Sequence, residues 1–510
     1  MDRIAIIDIG SNSARLVITE TYATGAFNMV YNQKEALRLA QKLDKNGALT
    51  PQAFTDTIEC LKNFSLMCKL FKAEKTIAVA TAAIRNAPNG AELVAAAQKA
   101  TGMNLKIISG KTEAYMSYLG VINTIPVKDA IIFDLGGGST ELILVKNREM
   151  IDSISLPIGC VNLTSQLKLK NQLTPATITK LRKIIATHIS KVPWLKPGSI
   201  PLIGVGGTAR TLGKIDQKRV KYYTPKIHNY QFAISDFKNT YKYLETATLA
   251  ERKQVAGMGT DRADIIVAGG AIIKALADKV KAKRLIVSGC GLREGLFDEY
   301  RARSLKRPLI PKDILTTSTD DIMHLYSTDV AHSKLVCHYA LTVFDAFASL
   351  HKVDPSWRPL LRTAALLHDI GIRINYYSHA RHSGYMIENA CLFGEDHLKI
   401  VYAGIMAAWH NGVSRSYLRS KQYKVLISDK DMSDLSTCAL CIAIGEALDY
   451  SQNGYLTKVT ARINSKGPVL NLTAETAPTI EIHQLNYLQK WFTKAMGTPL
   501  TIKTRKVSKN

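Results

Sequence analysis

The residues best suited to chemistry lie in a glycine-rich loop between two apolar, β-branched runs. The segment 131–144 reads IIFDLGGGSTELIL, with Asp134 before the glycines and Glu141 after them. Glycines let backbone N–H groups approach an anion, and successive N–H groups form an anion-binding nest. A strand–loop–strand hairpin would bring both carboxylates to one end, which predicts a phosphate site beside a hard cation such as Mg²⁺. An ordinary glycine turn with two solvated acids is the alternative.

A second copy of this segment opens the chain. Residues 4–18 read IAIIDIGSNSARLVI and align with the glycine-rich segment without a gap, so that Asp8 falls on Asp134 and Arg15 on Glu141. Such an internal repeat predicts two related lobes whose loops face a shared cleft and hold a phosphate chain between them. The residues of the two loops that we assign to phosphate binding are Ser11, Asn12, Ser13, Gly136, Gly137, Gly138, Ser139 and Thr140.

Other polar groups stand where strands end or helices begin. Arg85 lies in a loop beyond an apolar strand, and Glu113 opens a helix behind a glycine. Gly206, Gly207 and Thr208 lead from a strand into a helix, whose N-terminus is suited to an anion. Each of these has an ordinary reading: a surface arginine, an acid favoured by the helix dipole, and a glycine turn required by packing.

The chain divides into three regions by its pattern of predicted helices and strands. Residues 1–125 and 126–304 each alternate strands with helices, which predicts an α/β lobe in each. The Pro-, Thr-, Ser- and Asp-rich stretch 305–322 predicts a linker. Residues 306–510 begin with long helices and end with strands, which predicts a helical domain with a small α+β cap.

The balance of charge favours polyanionic partners. Lys and Arg number 67 against 42 Asp and Glu, a formal net charge of +25 in 510 residues. Such an excess is typical of proteins that bind polyphosphate, nucleotides or nucleic acid, although it can also serve solubility alone.

The location of the protein is predicted from what the sequence does not contain. No apolar run approaches the length of a membrane span, and the N-terminus has no signal-peptide pattern. Cys438 and Cys441 form the one close cysteine pair, in an apolar helical run without a second pair, so we read them as buried thiols rather than zinc ligands. We therefore expect a cytoplasmic, reduced protein with no membrane partner.

Taken in order, the motifs resemble the exopolyphosphatase/guanosine pentaphosphatase (Ppx/GppA) family, part of the superfamily of acetate and sugar kinases, Hsp70 and actin. The resemblance covers essentially the whole chain. The segments that carry it are DIGSNSARL (8–16), ATAAIR (80–85), SGKTEA (109–114), DLGGGSTE (134–141), SLPIG (155–159) and GLREG (291–295).

The C-terminal region resembles the HD phosphohydrolase fold, through the sequence LLHDIG at 366–371. The resemblance implies a metal site, and histidine nitrogens with carboxylate oxygens suit a transition metal or Mg²⁺. The residues implied as ligands of this second metal are His332, His368, Asp369 and Asp449. Further histidines stand at His379, His382 and His410. A hydrogen-bonded cluster without metal is the alternative.

The two resemblances imply a fold and a reaction. The fold is α/β, with two actin-, Hsp70- and acetate-kinase-like (ribonuclease H-like) lobes, followed by a mainly helical HD-like domain with a small α+β cap. The family removes terminal phosphate from polyphosphate, or from the 5′ end of guanosine pentaphosphate, with Mg²⁺. A monovalent cation such as K⁺ and a homodimer are further expectations, whereas nucleic acid is not expected as a partner.

The family resemblance also assigns roles to residues. Glu113 corresponds to the carboxylate that activates the attacking water, and Arg15 and Arg85 correspond to arginines that hold the phosphoryl group. The acids implied for Mg²⁺ are Asp8, Asp134 and Glu141. The residue types support these roles, because phosphoryl transfer needs charge neutralisation and hydrolysis needs one group that orients water.

These observations favour an exopolyphosphatase that hydrolyses inorganic polyphosphate in a cleft between the two lobes. The alternative within the enzymes is 5′ hydrolysis of guanosine pentaphosphate. A sensor that binds polyphosphate or guanosine penta- or tetraphosphate without turnover is a third reading, but a pure sensor has no need of Glu113. A kinase is disfavoured for the same reason, since kinases exclude water.

Overall fold

A computed structural model describes residues 2–169, 173–198, 200–419 and 421–506. The chain forms two compact units, unit 1 ending at Lys312 and unit 2 beginning at Asp313. Unit 1 has the α/β architecture expected from the sequence, and unit 2 is mainly helical.

The first sheet of unit 1 has the strand order β3-β2-β1-β4-β5. Its strands are β1 (Asp2–Ile9), β2 (Ala14–Thr21), β3 (Phe27–Glu35), β4 (Lys75–Ala80) and β5 (Leu105–Ile107). The accompanying helices are α1 (Pro51–Leu70), α2 (Ala82–Arg85), α3 (Gly90–Thr101) and α4 (Gly110–Ile122), with a short 3₁₀ turn at Leu39–Gln41. Helix α1 begins where the Thr50 hydroxyl accepts a hydrogen bond from the Ala53 N–H and Pro51 occupies the first turn.

The second sheet of unit 1 has the order β10-β11-β9-β6-β7-β8. Its strands are β6 (Ala130–Leu135), β7 (Thr140–Lys146), β8 (Glu149–Leu156), β9 (Leu202–Val205), β10 (Tyr230–Ala233) and β11 (Arg284–Val287). Its helices are α5 (Cys160–Leu167), α6 (Pro175–Ile189), α7 (Gly207–Arg219), α8 (Ile234–Thr246), α9 (Leu249–Gln254), α10 (Ile266–Val280) and α11 (Leu292–Leu305).

The two sheets repeat one topology. Strands β1 and β2 form an antiparallel hairpin with β4 parallel on the other side of β1, and β6, β7 and β9 are arranged in the same way. The loops match as well, because the N–H of Gly10 donates to the Ser13 carbonyl at 3.1 Å and that of Gly136 to the Ser139 carbonyl at 3.0 Å. The structure therefore confirms the repeat predicted from the sequence.

Helices α4 and α11 join the two sheets through one apolar core. Ile4 of β1, Ile132 of β6 and Leu296 of α11 are all buried in this core. The two helices approach closely because Gly295 faces α4, where a Cβ would collide with the Met116 carbonyl oxygen. Gly120 is as restricted, since a Cβ there would collide with the backbone of the Gly291 turn. Both sheets therefore rest on the same helix pair.

Unit 2 contains a group of helices and a three-stranded sheet of order β12-β13-β14. Its helices are α12 (Ile314–Tyr326), α13 (Val330–Ala346), α14 (Ala348–His351), α15 (Arg358–Leu366), α16 (His379–Asn389), α17 (His397–Ala408), α18 (Arg415–Leu418), α19 (Asp429–Ala447), α20 (Thr479–Tyr487) and α21 (Gln489–Met496). Its strands are β12 (Lys458–Asn464), β13 (Gly467–Ala474) and β14 (Thr501–Lys506). Short 3₁₀ turns lie at Pro355–Trp357, Ile370–Arg373 and Gln422–Leu426.

The predicted linker at 305–322 is wrong over much of its length, because α12 already begins at Ile314. Asp313 caps this helix by accepting a hydrogen bond from the Thr316 N–H at 2.9 Å. The hydroxyl of Thr319 is buried and lies 3.0 Å from that of Thr363. Ser318 and Thr319, which by type suit a solvated linker, are here buried and hydrogen-bonded.

Two other expectations concern burial. Cys438 and Cys441 are buried free thiols in α19, as predicted. Within the described part of the chain, no helix combines the length and apolar character that crossing a bilayer requires.

Candidate active site

The two glycine loops of unit 1 lie against each other. Ser11, from the first loop, packs on the second so closely that a Cβ on Gly138 would lie 2.8 Å from the Ser11 Oγ. A Cβ on Gly137 would lie 3.1 Å from the Ser11 Cβ and 3.0 Å from Val161. Glycine is therefore required here for close approach, and the two loops share one region.

Arg85 and Glu113 meet beside these loops. Arg85 ends α2, directly after β4, and its Nη1 donates to the Glu113 Oε2 at 2.7 Å and to the Ile108 carbonyl at 3.1 Å. Glu113 lies in the first turn of α4, which begins where the Ser109 hydroxyl accepts from the Thr112 N–H. Burial raises the pKa of Glu113 well above its usual range, the charge of Glu141 adds to the rise, and Arg85 opposes it.

Glu141 and Asp134 stand opposite each other in the β6–β7 hairpin. Glu141 is 1% exposed, and its Oε1 accepts from the hydroxyls of Ser139 at 2.8 Å and Ser155 at 2.7 Å. Asp134 accepts from the Ser117 hydroxyl at 2.5 Å. Burial raises the pKa of Glu141 to about 7, and the neighbouring Asp134 charge contributes to this rise.

The acids of the two hairpins form a donor set that fits Mg²⁺. Burial raises the pKa of Asp8 to about 6, and the charge of Asp134 adds to it. Burial likewise raises the pKa of Asp134, although its hydrogen bond from Ser117 opposes the change. Several buried carboxylates in one region repel one another when ionised, and a hard divalent cation with oxygen ligands would remove that repulsion. Asp8, Asp134 and Glu141 are the residues that would hold it.

Sequence reasoning missed three arginines that gather near Arg15. Burial lowers the pKa of Arg15 to about 10, and the charges of Arg293, Arg210 and Arg262 lower it further. Cations placed this closely favour an anion with several charges between them. Arg293 lies within the GLREG motif and Arg210 lies two residues after Thr208, so the sequence did contain a signal for both.

The predicted phosphate-binding residues are arranged unequally. The Thr140 hydroxyl donates to the Ile158 carbonyl at 2.6 Å, and the Ser139 hydroxyl donates to Glu141, so both are occupied within the protein. The Thr208 side chain is buried against Gly269 of α10, where a Cβ would lie 2.6 Å from its Cγ2. Of the predicted phosphate-binding segments, the glycine loop at 136–138 and the Ser11–Ser13 turn are those that lie where the two loops meet.

The remainder of the strand–helix turn faces an arginine. Gly206 adopts a φ of 101° at the start of α7, a conformation that favours glycine. Gly207 lies under the Arg262 guanidinium, where a Cβ would be 2.5 Å from the Arg262 Cζ. The turn therefore positions an arginine as well as a helix N-terminus.

Unit 2 brings together the four residues implied there as metal ligands. His332, on α13, lies 2.8 Å from the Asp449 Oδ2 through its Nδ1 and 3.9 Å from the Asp369 Oδ2 through its Nε2. The Nε2 of His368 lies 3.6 Å from the same Asp369 oxygen. His379 and His410 also reach Asp369.

The duplicated hairpin sheet and the acids and arginines at its two loops define an actin-like protein that handles phosphate groups. The model of the Ppx/GppA phosphatase family matches residues 17–303, and that of Ppx/GppA phosphatase domain III matches residues 314–489. The chain therefore belongs to the Ppx/GppA phosphatase family and is a hydrolase that acts on phosphoanhydride bonds.

Relatives and solved structures agree with this assignment. The guanosine-5'-triphosphate,3'-diphosphate pyrophosphatase of Pseudoalteromonas translucida (strain TAC 125) is 28% identical over 411 residues, which cover 78% of this chain and 79% of that protein. The crystal structure of the Aquifex aeolicus Ppx/GppA family member is 30% identical, with a TM-score of 0.52, over 60% of this chain and 98% of its own. An exopolyphosphatase from Cytophaga hutchinsonii, 24% identical, shares the fold with a TM-score of 0.55 over 61% of this chain and 100% of its own.

Proposed function

We propose that this protein is a Mg²⁺-dependent exopolyphosphatase that removes the terminal phosphate of inorganic polyphosphate, with water activated by Glu113. The observation that carries the proposal is the contact of 2.7 Å between the partly buried Arg85 and the buried Glu113, beside Glu141. A cation suited to phosphate oxygens and a carboxylate suited to accept a proton thus lie side by side near the two glycine loops, which supports the proposal.

The chemistry of the step follows from these groups. Glu113 takes a proton from a water molecule, whose oxygen attacks the terminal phosphorus while the bond to the bridging oxygen breaks. Orthophosphate is released, and the shortened chain keeps the bridging oxygen. The raised pKa of Glu113, caused first by burial, makes it a stronger base than an exposed glutamate. Arg85 holds Glu113 in place and neutralises a phosphoryl oxygen.

Magnesium would supply further neutralisation of the phosphate oxygens when bound. Asp8 and Asp134 face the site from the two equivalent strands, and Glu141 faces it from β7. Their carboxylate oxygens match the hard ligands that Mg²⁺ prefers. The Ser139 and Ser155 hydroxyls fix the orientation of Glu141.

The preference for a long polyanion rests on charge. Burial lowers the pKa of Arg15, and the charges of three further arginines lower it more. These arginines are Arg293, Arg210 and Arg262. A chain of phosphates can pair with several such cations at once. The net charge of +25 acts in the same direction over a longer range.

Hydrolysis of guanosine pentaphosphate at its 5′ end is the second candidate. It is favoured by the name of the Pseudoalteromonas relative, a guanosine-5'-triphosphate,3'-diphosphate pyrophosphatase. The bond that breaks is of the same kind, so the same acids and arginines serve either substrate. A sensor without turnover is disfavoured, because it would not need the buried Glu113 base.

The deciding experiment measures phosphate release from long polyphosphate and from guanosine pentaphosphate side by side, with Mg²⁺ and with or without K⁺. We expect kcat/KM to be higher for polyphosphate. A higher kcat/KM for guanosine pentaphosphate would instead establish the second candidate. Tight binding of both compounds with no release from either would establish a sensor.

A further inference from the structure

The three-stranded sheet of unit 2 has one buried face and one open face. On β13, Leu470, Leu472 and Ala474 are buried, whereas Asn471 and Thr473 between them are partly exposed. The strand registers place these two residues opposite exposed residues of both neighbouring strands. Because successive side chains of a strand point to opposite faces, the open face is made by the residues that alternate with the buried ones.

Four cations occupy the open face, two on each outer strand. Lys458 on β12 and Arg505 on β14 flank Thr473 in one cross-strand row. Lys503 lies in the next row along β14, and Arg462 lies two rows from Lys458 along β12. All four are exposed, and within the described part of the chain none of them makes an ion pair. We call this surface the basic face.

The sequence around the sheet contains few acids that could neutralise the basic face. Residues 450–510 hold nine Lys and Arg but only two acids, Glu475 and Glu481. Glu481 is 2% exposed, and its carboxylate accepts a hydrogen bond from the Ser451 hydroxyl at 2.8 Å. Glu475 follows the end of β13, so the three strands themselves contain no acid. The positive charge is therefore not cancelled locally, and it favours a polyanion.

The groups between the cations distinguish one kind of polyanion from another. The Asn471 Nδ2 donates to the Thr460 hydroxyl oxygen at 3.3 Å, which leaves the Asn471 Oδ1 to accept from a ligand. Polyphosphate has no donor for this oxygen at neutral pH, whereas the 2′-hydroxyl of RNA is one. Neighbouring rows of the face lie about 6.7 Å apart along a strand. This spacing suits a nucleic acid, whose phosphates are separated by a sugar, better than polyphosphate, whose phosphates share a bridging oxygen.

The basic face offers nothing that would read bases or enter a groove. Strands β12, β13 and β14 contain no aromatic residue on which a base could stack. A flat sheet face also presents no helix or ribbon to the major groove of a duplex. Its contacts are therefore limited to phosphates and sugars, which carry no sequence information.

We propose that the basic face binds single-stranded RNA through its sugar–phosphate backbone, irrespective of base sequence. The four cations pair with phosphates, and Asn471 accepts from a 2′-hydroxyl. The family resemblance did not lead us to expect such a partner. The basic face belongs to unit 2, and the proposal does not depend on the function proposed for unit 1.

The first test measures the binding of fluorescent oligomers to the full-length protein by anisotropy. Uridine and adenosine RNA oligomers of equal length should bind equally, because no base is read. A deoxyuridine oligomer should bind several-fold more weakly than the uridine one, because it lacks the 2′-hydroxyl. Absence of RNA binding, a strong preference for one base, or equal binding of RNA and DNA would overturn the proposal.

A charge-matched pair of variants locates the site. The face variant combines Lys458→Gln, Arg462→Gln, Lys503→Gln and Arg505→Gln. It should weaken RNA binding on the order of 10²-fold at about 0.1 M salt and make the log–log salt slope shallower by about three units, since each single-strand phosphate contact contributes roughly 0.7. The control removes the same charge from exposed lysines of four separate helices and should weaken binding far less. It combines Lys62→Gln, Lys99→Gln, Lys242→Gln and Lys279→Gln.

The same variants separate RNA from other occupants of the basic face. Equal weakening by both variants would show that RNA responds only to overall charge and would overturn the proposal. A face variant that loses affinity for long polyphosphate but not for RNA would assign the face to polyphosphate instead. Loss of binding to vesicles of anionic lipid, with RNA binding kept, would assign it to a membrane surface. Equal melting temperatures of both variants exclude unfolding as the cause, and the wild-type comparison of RNA with DNA decides even if a variant is unstable.

Discussion

The two hairpins of unit 1 have the same backbone but opposite chemistry. In the first, Asp8 stands opposite Arg15, and in the second, Asp134 stands opposite Glu141. The turn hydrogen bonds differ by only 0.1 Å, at 3.1 Å for Gly10–Ser13 and 3.0 Å for Gly136–Ser139. One exchange of residue type, at one position of a repeat, gives one lobe a cation and the other a second acid.

The surroundings of the exchanged position differ in the same way. Burial lowers the pKa of Arg15, and the charges of neighbouring arginines lower it further. Glu141 is held by the Ser139 and Ser155 hydroxyls, with the Arg85 Nη2 3.9 Å away. At the exchanged position, the first hairpin thus offers a cation suited to phosphate oxygens, and the second offers an acid suited to a metal ion. The two loops share one backbone arrangement, and they differ in the side chains that neighbouring segments bring to them.

The largest effect should come from the base that lies near the second hairpin. Glu113→Gln keeps the shape of the side chain but removes the proton acceptor, so kcat should fall by roughly 10²-fold or more while polyphosphate still binds. Steady-state phosphate release and a binding titration measure the two quantities. The matched control is Glu92→Gln, an exposed acid in the first turn of α3, which should leave kcat unchanged. More than half of the wild-type rate in Glu113→Gln would refute the role of the base.

A pair of variants tests whether the hairpins divide metal from substrate. Glu141→Gln should raise the Mg²⁺ concentration needed for half-maximal rate, because it removes a charged ligand. Arg15→Gln should raise KM for polyphosphate by roughly tenfold, as expected for a lost charged contact of about 1.4 kcal/mol, with the Mg²⁺ titration unchanged. The comparison fails if both variants change the same parameter.

A smaller effect is expected where the two loops touch. Gly138→Ala places a methyl group against the Ser11 hydroxyl, which should raise KM because the loops move apart. Adding Ser11→Ala removes the atom that the methyl group meets at 2.8 Å and should restore most of the wild-type KM. Ser11→Ala alone is the reference for the double variant. If the double variant is no better than Gly138→Ala, the loop contact is not what determines KM.

The smallest effect concerns the salt dependence of binding. Each phosphate neutralised by a cation contributes roughly one unit to the slope of log affinity against log salt, by analogy with nucleic acids. Arg15→Gln should therefore make the slope for long polyphosphate shallower by about one unit. Guanosine pentaphosphate, with fewer charges to pair, should show a shallower slope than long polyphosphate in the wild type. Equal slopes for Arg15→Gln and wild type would show that Arg15 does not pair with a phosphate of the polyanion.

The features predictable from the sequence were those encoded within a short segment. The hairpins, the meeting of Asp134 and Glu141 at one end of the second hairpin, and the helix that begins before Glu113 depend on residues close together in the chain. The family resemblance added Arg85 as a partner of the same site, and the structure brings it to 2.7 Å from Glu113. Local spacing is a strong signal because turn geometry leaves few conformations for such segments.

The features missed depend on distant segments or on burial. Ser155 and Ser117 donate hydrogen bonds to Glu141 and Asp134. Ser155 opens the SLPIG motif, but neither this motif nor the residues around Ser117 indicate that the partner is an acid. The stretch after Leu305 was misread because composition does not reveal whether hydroxyls are solvated, and the Thr319–Thr363 pair buries them. In unit 2, the Nδ1 atoms of His368 and His410 lie within hydrogen-bonding distance of the backbone carbonyl oxygens of Ala365 and Ala407. Any residue type supplies a backbone carbonyl, so the sequence does not indicate these partners.

The shared core beneath helices α4 and α11 has a consequence for how the protein is made. Ile4 and Ile6 are buried together with Leu296 and Phe297, which are synthesised much later, near the end of unit 1. Contacts that join such distant positions form late, because the loop between them must close first. The face of the first sheet that carries Ile4 and Ile6 therefore cannot be fully buried on the nascent chain until α11 has emerged. During that interval its apolar face stays open to chaperones, and a ribosome that stalls before α11 releases an unfinished and aggregation-prone product.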